Sequence, residues 1–216
     1  MKASKKELLL TTLVCLLPIL AGAVLYPQLP ETMAVHWSAD GVEDGWMPRA
    51  AAVFGLPALV AALNFVCFCA AERDPGRANM SAALRTVALW ICPAVSLLCG
   101  TVTLGTGLGY EMKVGTLAPL FVGVLYLAIG NWLPKTKRSC TLGVRLPWTL
   151  ASEENWNHTH RVTGFLWVLT GLAAIVLTLL RACSGTVLIV LLLAAALVPI
   201  VYSLCYYLRH ERGRDA

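Results

Sequence analysis

Residues 7–30 read "ELLLTTLVCLLPILAGAVLYPQLP", and whether this run is kept or cleaved decides how often the chain crosses a membrane. Lys2, Lys5 and Lys6 precede it, as basic residues precede the apolar core of a secretory signal. Its apolar core is nevertheless about 20 residues long, the length that spans ~30 Å of hydrocarbon. The following "LYPQLP" has no small-x-small cleavage site. The expectation is a retained first helix, ended where Pro27 and Pro30 cannot continue the backbone ladder.

The rest of the chain extends this reading. Of 216 residues, 58% are hydrophobic and 13% charged, with a mean hydropathy of +0.71; a soluble domain carries about 25% charged residues. Apolar runs near 51–71, 85–108, 114–133, 162–181 and 185–208 are each close to span length. Together with the run near 7–26 they predict an all-α integral membrane protein of six transmembrane helices. Lys and Arg concentrate on the cytoplasmic side of membrane proteins. With both termini cytoplasmic, the inner segments hold Lys2, Lys5, Lys6, Arg73, Arg77, Arg85, Lys135, Lys137, Arg138, Arg145, Arg161, Arg209, Arg212 and Arg214, leaving only Arg49, Lys113 and Arg181 outside. The net charge of +5 is therefore a topology signal that also favours anionic lipid, and nothing supports a nucleic-acid partner. The eight cysteines form no disulfide or zinc framework: most fall within spans, and Cys67 and Cys69 are two apart rather than CxxC.

Two loops are long enough to carry function. The external one, 27–50, contains "MAVHW", expected to be extended, followed by Asp40-Gly41 and Asp44-Gly45, both expected to form tight turns. Trp37 and Trp46 suit the membrane interface. His36, Asp40, Glu43 and Asp44 are close enough in sequence to attract a cation, although a solvated acidic loop is the simpler reading. The internal loop, 134–161, begins after Trp132 with Pro134, Lys135, Lys137 and Arg138 and includes "CTLGVRLPW", expected to be extended or a hairpin. Ser152 then reads as a helix N-cap with Glu153 and Glu154 in the first turn, where carboxylates suit the helix dipole. From there a helix runs without interruption into the fifth span. Trp156, His160, Gly164 and Trp167 share one face, toward the bundle, and Glu154, His158 and Arg161 share another, toward water.

Two chemistries compete with a binding role. Glu153, His158 and His160 supply zinc-ligand types for a membrane metalloenzyme acting on a peptide or lipid, but His-x-His on a helix sets the rings about 200° apart, unlike HExxH. A small-solute transporter normally places ionisable residues at mid-membrane depth, and no Asp, Glu, Lys or Arg stands near the middle of any run. Asn64 is the most deeply placed polar residue and is expected to bond a neighbouring helix.

"GNWLPKTKRSCTLGVRLPWTLASEENWNHTHRVTG", residues 130–164, resembles the signature of the SdpI family of bacterial membrane immunity proteins, and "LPETMAVHWSADGVEDGW", residues 29–46, resembles the domain of unknown function at the amino terminus of the same proteins. The signature positions include Gly143, Pro147, Thr149, Thr159 and Gly164; Ser139, Cys140 and Leu146 depart from it. The resemblance implies an N-terminal helix pair with its extracellular loop in 1–71 and an SdpI-like four-helix region in 72–216. It implies a multi-pass protein of the bacterial cell membrane, without enzymatic activity, cofactor or metal. Its partners would be the lipid bilayer, a secreted killing peptide outside and a cytoplasmic repressor inside. The site residues it implies are an inner cluster of Asn131, Lys135, Arg138, Arg145, Trp148, Glu153, Trp156, His160 and Arg161, with an outer surface of His36, Trp37, Asp40 and Trp46.

Overall fold

The structure, a computed structural model, describes residues 5–76 and 82–211. Lys2, Arg77, Arg212 and Arg214, which enter the topology argument, lie outside the described residues. In chain order the elements are α1 (Lys5–Leu25), β1 (Thr32–Trp37), β2 (Glu43–Pro48), α2 (Leu56–Arg73), α3 (Ala82–Gly107), α4 (Val114–Trp132), α5 (Pro147–Ala151), α6 (Glu153–Leu179) and α7 (Gly185–His210). All the helices except α5 are long and apolar enough to cross a membrane. Their lipid-side leucines and valines remain exposed, as on Leu9, Leu13, Leu20 and Val24 of α1, because a bilayer removes the need to bury them.

The chain forms two compact units, Met1–Glu72 with Ala88–Ala118, and Arg73–Val87 with Pro119–Ala216. In the first, few but specific polar contacts join helices. Asn64 Nδ2 donates to Thr11 Oγ1 at 3.1 Å and Thr12 Oγ1 at 3.2 Å, the bond expected of a lone intramembrane amide. Ser96 Oγ donates to the Cys15 carbonyl at 2.7 Å. A methyl on Gly100 would fall 2.5 Å from Pro18 Cβ, so α3 reaches α1 only because that side chain is missing.

The external loop is an antiparallel hairpin, β1 with β2. Gly41, at φ +79, makes its turn and donates its N–H to Ser38 O at 2.9 Å. Asp44-Gly45 is not the second turn expected from its composition. It lies inside β2, where Gly45 pairs with His36 across a register shift. A Cβ on Gly45 would sit 2.8 Å from His36 Cβ, so glycine serves close strand approach here. Arg49 fastens the hairpin to the end of α1: its Nη1 donates to the Tyr26 and Leu29 carbonyls at 3.0 and 2.8 Å, and its guanidinium lies 4.3 Å from the Tyr26 ring centroid. Below, Leu29, Met33, Ala52, Val53 and Leu104 form a buried apolar cluster.

In the second unit α4 and α6 cross through paired glycines. A Cβ on Gly123 would lie 2.9 Å from Gly171 O, and one on Gly130 would lie 2.9 Å from Gly164 O. The seven-residue spacing on both helices brings their backbones together twice, the small-residue contact that membrane helices use in place of a hydrophobic drive. Helix α6 is inside-out relative to a soluble helix. Asn155, Thr159, Thr163, Thr170 and Thr178 are buried, while Phe165, Leu169, Leu172, Val176 and Leu179 are exposed. Thr159, Thr163 and Thr178 remain compatible with burial because their hydroxyls bond back one turn, as Thr163 Oγ1 to Thr159 O at 2.7 Å.

Candidate functional site: the loop clasp and the outer hairpin

The loop from α4 to α6 contains no strand among the described residues, in contrast to the extended or hairpin excursion expected of "CTLGVRLPW". Side chains hold it instead. Pro147 opens the single-turn helix α5. Thr149 Oγ1 accepts the Leu146 N–H at 2.9 Å and points its own proton at the Val144 carbonyl, 2.8 Å away. Arg138 Nη1 closes the other end of α5 by donating to Leu150 O at 3.1 Å and Ala151 O at 3.3 Å, a cation at helix carbonyls. Arg145 Nη1 donates to Cys140 O at 2.7 Å.

At the centre stand Trp156 and His160, both 0% exposed, their rings stacked with centroids 3.9 Å apart. Trp156 Nε1 donates to Thr136 O at 2.7 Å. The Val144 N–H donates to His160 Nε2 at 3.1 Å, which makes Nδ1 the protonated nitrogen, donating to Trp156 O at 2.8 Å. Gly143, at φ +113, completes the clasp: a Cβ there would lie 2.2 Å from His160 Nε2 and 2.9 Å from the Trp156 ring.

Two further networks anchor the loop. Asp74, 4% exposed, accepts from Ser139 Oγ at 2.6 Å, Thr141 N at 2.8 Å, Gly76 N at 2.6 Å and Thr141 Oγ1. Burial alone would raise its pKa, but these donors outweigh it and hold the carboxyl at about 2, below the ordinary 3.8. On the other side Ser152 caps α6 as expected, accepting the Asn155 N–H at 3.2 Å, and gives its hydroxyl proton to Glu211. Asn155 Nδ2 reaches Glu211 Oε2 at 3.1 Å and Ser203 O at 3.2 Å, and Trp148 Nε1 donates to Ser203 Oγ at 3.0 Å. The start of α6 is thus tied to the end of α7.

Of the expected inner cluster, the structure brings Trp156 and His160 into one contact, with Arg138 and Arg145 bracing the loop and Trp148 on α7. Asn131, Glu153 and Arg161 are exposed, and Lys135 lies over the Trp132 ring at 4.4 Å from its centroid. The metal alternative loses its key ligand, since both His160 nitrogens are already engaged in a buried site. His158 points elsewhere and stacks on Tyr206, which in turn stacks on His210. His158, on the face expected to carry a charge ladder, thus joins a ladder of rings. No group of three or more His, Cys, Asp or Glu suited to a metal occurs among the described residues.

On the outer hairpin His36 Nδ1 pairs with Asp44 Oδ1 at 2.5 Å. Trp46 is 57% exposed, Asp40 and Glu43 are exposed, and Trp37 is half-buried. Val35, His36 and Trp37 form one wall of an apolar groove completed by Leu98, Val102 and Leu117.

The SdpI/YfhL protein family matches residues 135–203, and a domain of unknown function, DUF1648, matches residues 13–61. Immunity protein SdpI of Bacillus subtilis (strain 168) is 26% identical over 215 residues, 97% of this chain and 100% of that protein. The chain thus resembles the SdpI family in both segments. No solved structure matches it. The chain is a multi-pass bacterial membrane protein; its clasp lies within the 135–203 match and its hairpin within the 13–61 match.

Asp74 and Glu211 lie outside both matched ranges and were not among the residues singled out from sequence. The turn tripeptide Asp74-Pro75-Gly76 was the available signal for the first. The row Asn155, Thr159, Thr163 at i, i+4, i+8 was the signal for the buried polar face that receives the second.

Proposed function

We propose that this chain is an immunity protein of the cell membrane that protects its host from a secreted killing peptide. Both termini are cytoplasmic in this reading, with the hairpin outside and the clasp inside. The observation that carries it is the end-to-end similarity to Immunity protein SdpI. Supporting it, the hairpin presents exposed Trp46 beside Asp40, Glu43 and Asp44, a surface chemically suited to an amphipathic peptide with cationic groups. On the inner face Lys135, Lys137, Arg138 and Arg145 are exposed around a rigid loop, a surface on which a cytoplasmic repressor would dock. Expression in a peptide-sensitive host lacking its own immunity protein tests the reading. Survival above the empty-vector level is expected, reduced by Trp37→Ala or Trp46→Ala at unchanged membrane abundance. Survival equal to the vector, with the protein present in the membrane, overturns it.

A further inference from the structure

A cleft of about 560 Å³ opens beside the inner loop, lined by Lys137, Arg138, Cys140, Leu150 and Glu153 with Gly76 in its wall. This is within the range of small-molecule sites. Its depth in the membrane follows from its neighbours. One membrane-length segment ends at Lys135 and the next begins at Glu153, so Lys137 and Glu153, at or next to those ends, fall near the headgroup layer of a bilayer that the two segments cross.

The charges of the cleft are available to a ligand. Lys137 is exposed and has no ion-pair partner among the described residues. Arg138 spends Nη1 on the Leu150 and Ala151 carbonyls, which fixes its guanidinium while its remaining N–H groups have no hydrogen-bond acceptor among the described residues. Asp74, behind the wall, has its carboxylate filled by Ser139, Thr141 and Gly76. Glu153 is exposed in the first turn of α6. The wall itself is closely packed, since a Cβ on Gly76 would lie 2.7 Å from Arg138 O. Two cations and one carboxylate in one rigid cleft match a ligand with a phosphate and an ammonium; a simple anion would have to face Glu153.

We propose that this cleft binds a phosphoethanolamine headgroup, Lys137 and Arg138 holding the phosphate and Glu153 the ammonium. At headgroup depth the source is phosphatidylethanolamine of the bilayer rather than the soluble compound. The inference does not depend on the immunity reading. Native mass spectrometry of the full chain in detergent, with phosphatidylethanolamine, phosphatidylglycerol or soluble phosphoethanolamine at equal concentration, tests it. Phosphatidylethanolamine is expected to be retained about tenfold better than phosphatidylglycerol. Lys137→Gln lowers retention of both lipids, Glu153→Gln removes the preference between them, and soluble phosphoethanolamine fails to displace the lipid. Equal retention of the two lipids by the unaltered protein overturns the proposal, as does indifference to both substitutions. Displacement by soluble phosphoethanolamine at equal concentration overturns the lipid assignment. Both substituted side chains are exposed, so thermal unfolding midpoints matching the parent separate lost binding from lost folding.

Discussion

Gly143→Ala probes the clasp at its tightest point. The backbone at φ +113 disfavours any residue with a Cβ, costing about 1–3 kcal/mol. The new methyl would also stand 2.2 Å from His160 Nε2, a distance that cannot persist, and relief requires the Val144 N–H to leave that nitrogen. A buried donor and acceptor left unpaired add roughly 1–3 kcal/mol. The total, about 2–6 kcal/mol, is large beside the ~5–15 kcal/mol that holds a domain folded, so the loop should open before the helices separate. Limited trypsin digestion in mild detergent reads this directly, as faster cleavage after Lys137, Arg138 and Arg145, with tryptophan emission reporting exposure of Trp156. In a His160→Ala background the clash with Nε2 disappears while the 2.9 Å approach to the Trp156 ring remains, so the same substitution should cost less than in the parent. A parent-like digestion rate and unfolding midpoint for Gly143→Ala would refute the clasp, as would the same cost in both backgrounds.

Asp74 predicts a pH dependence. Its folded pKa of about 2 lies below the ordinary 3.8, so the unfolded chain binds its proton first as pH falls. The contribution is complete above about pH 5 and is lost progressively toward about pH 1, on the order of 2 kcal/mol; Asp74→Asn should abolish that slope in unfolding titrations and destabilise the loop at neutral pH. Asn155→Ala removes both donors that reach Ser203 O and Glu211 Oε2. A loss of about 1–3 kcal/mol is expected, strongly non-additive with Glu211→Gln in a double-mutant cycle. Gly130→Ala would drive a methyl to 2.9 Å from Gly164 O and Val168 N. Overpacking at a backbone contact should cost roughly 1–3 kcal/mol, read as a lower midpoint in dodecyl sulfate unfolding.

The membrane helices were legible because each apolar run is continuous and its lipid face requires no partner. The row Trp156, His160, Gly164, Trp167 was legible for a similar reason, since helical spacing alone puts these residues on one side. The partners across the fold were not. Asp74 reaches Ser139 and Thr141 across more than sixty residues, and Glu211 reaches Ser152 and Asn155 across more than fifty; no local pattern carries such a pairing. The inner loop was misread because Thr141, Val144 and a central Gly143 compose equally well a hairpin or an irregular loop pinned by side chains. What distinguishes them here is His160, which takes the Val144 N–H that a second strand would otherwise have bonded.

The functional account rests on the hairpin and the clasp facing opposite sides of the membrane. Side-specific thiol labelling in intact cells measures that directly, with Glu43→Cys and Lys137→Cys each placed in a background lacking the eight native cysteines. The account predicts that an impermeant maleimide modifies the cysteine at position 43 in whole cells and the one at 137 only after the membrane is permeabilised. Labelling at 137 but not at 43 in whole cells, or at both, would contradict it.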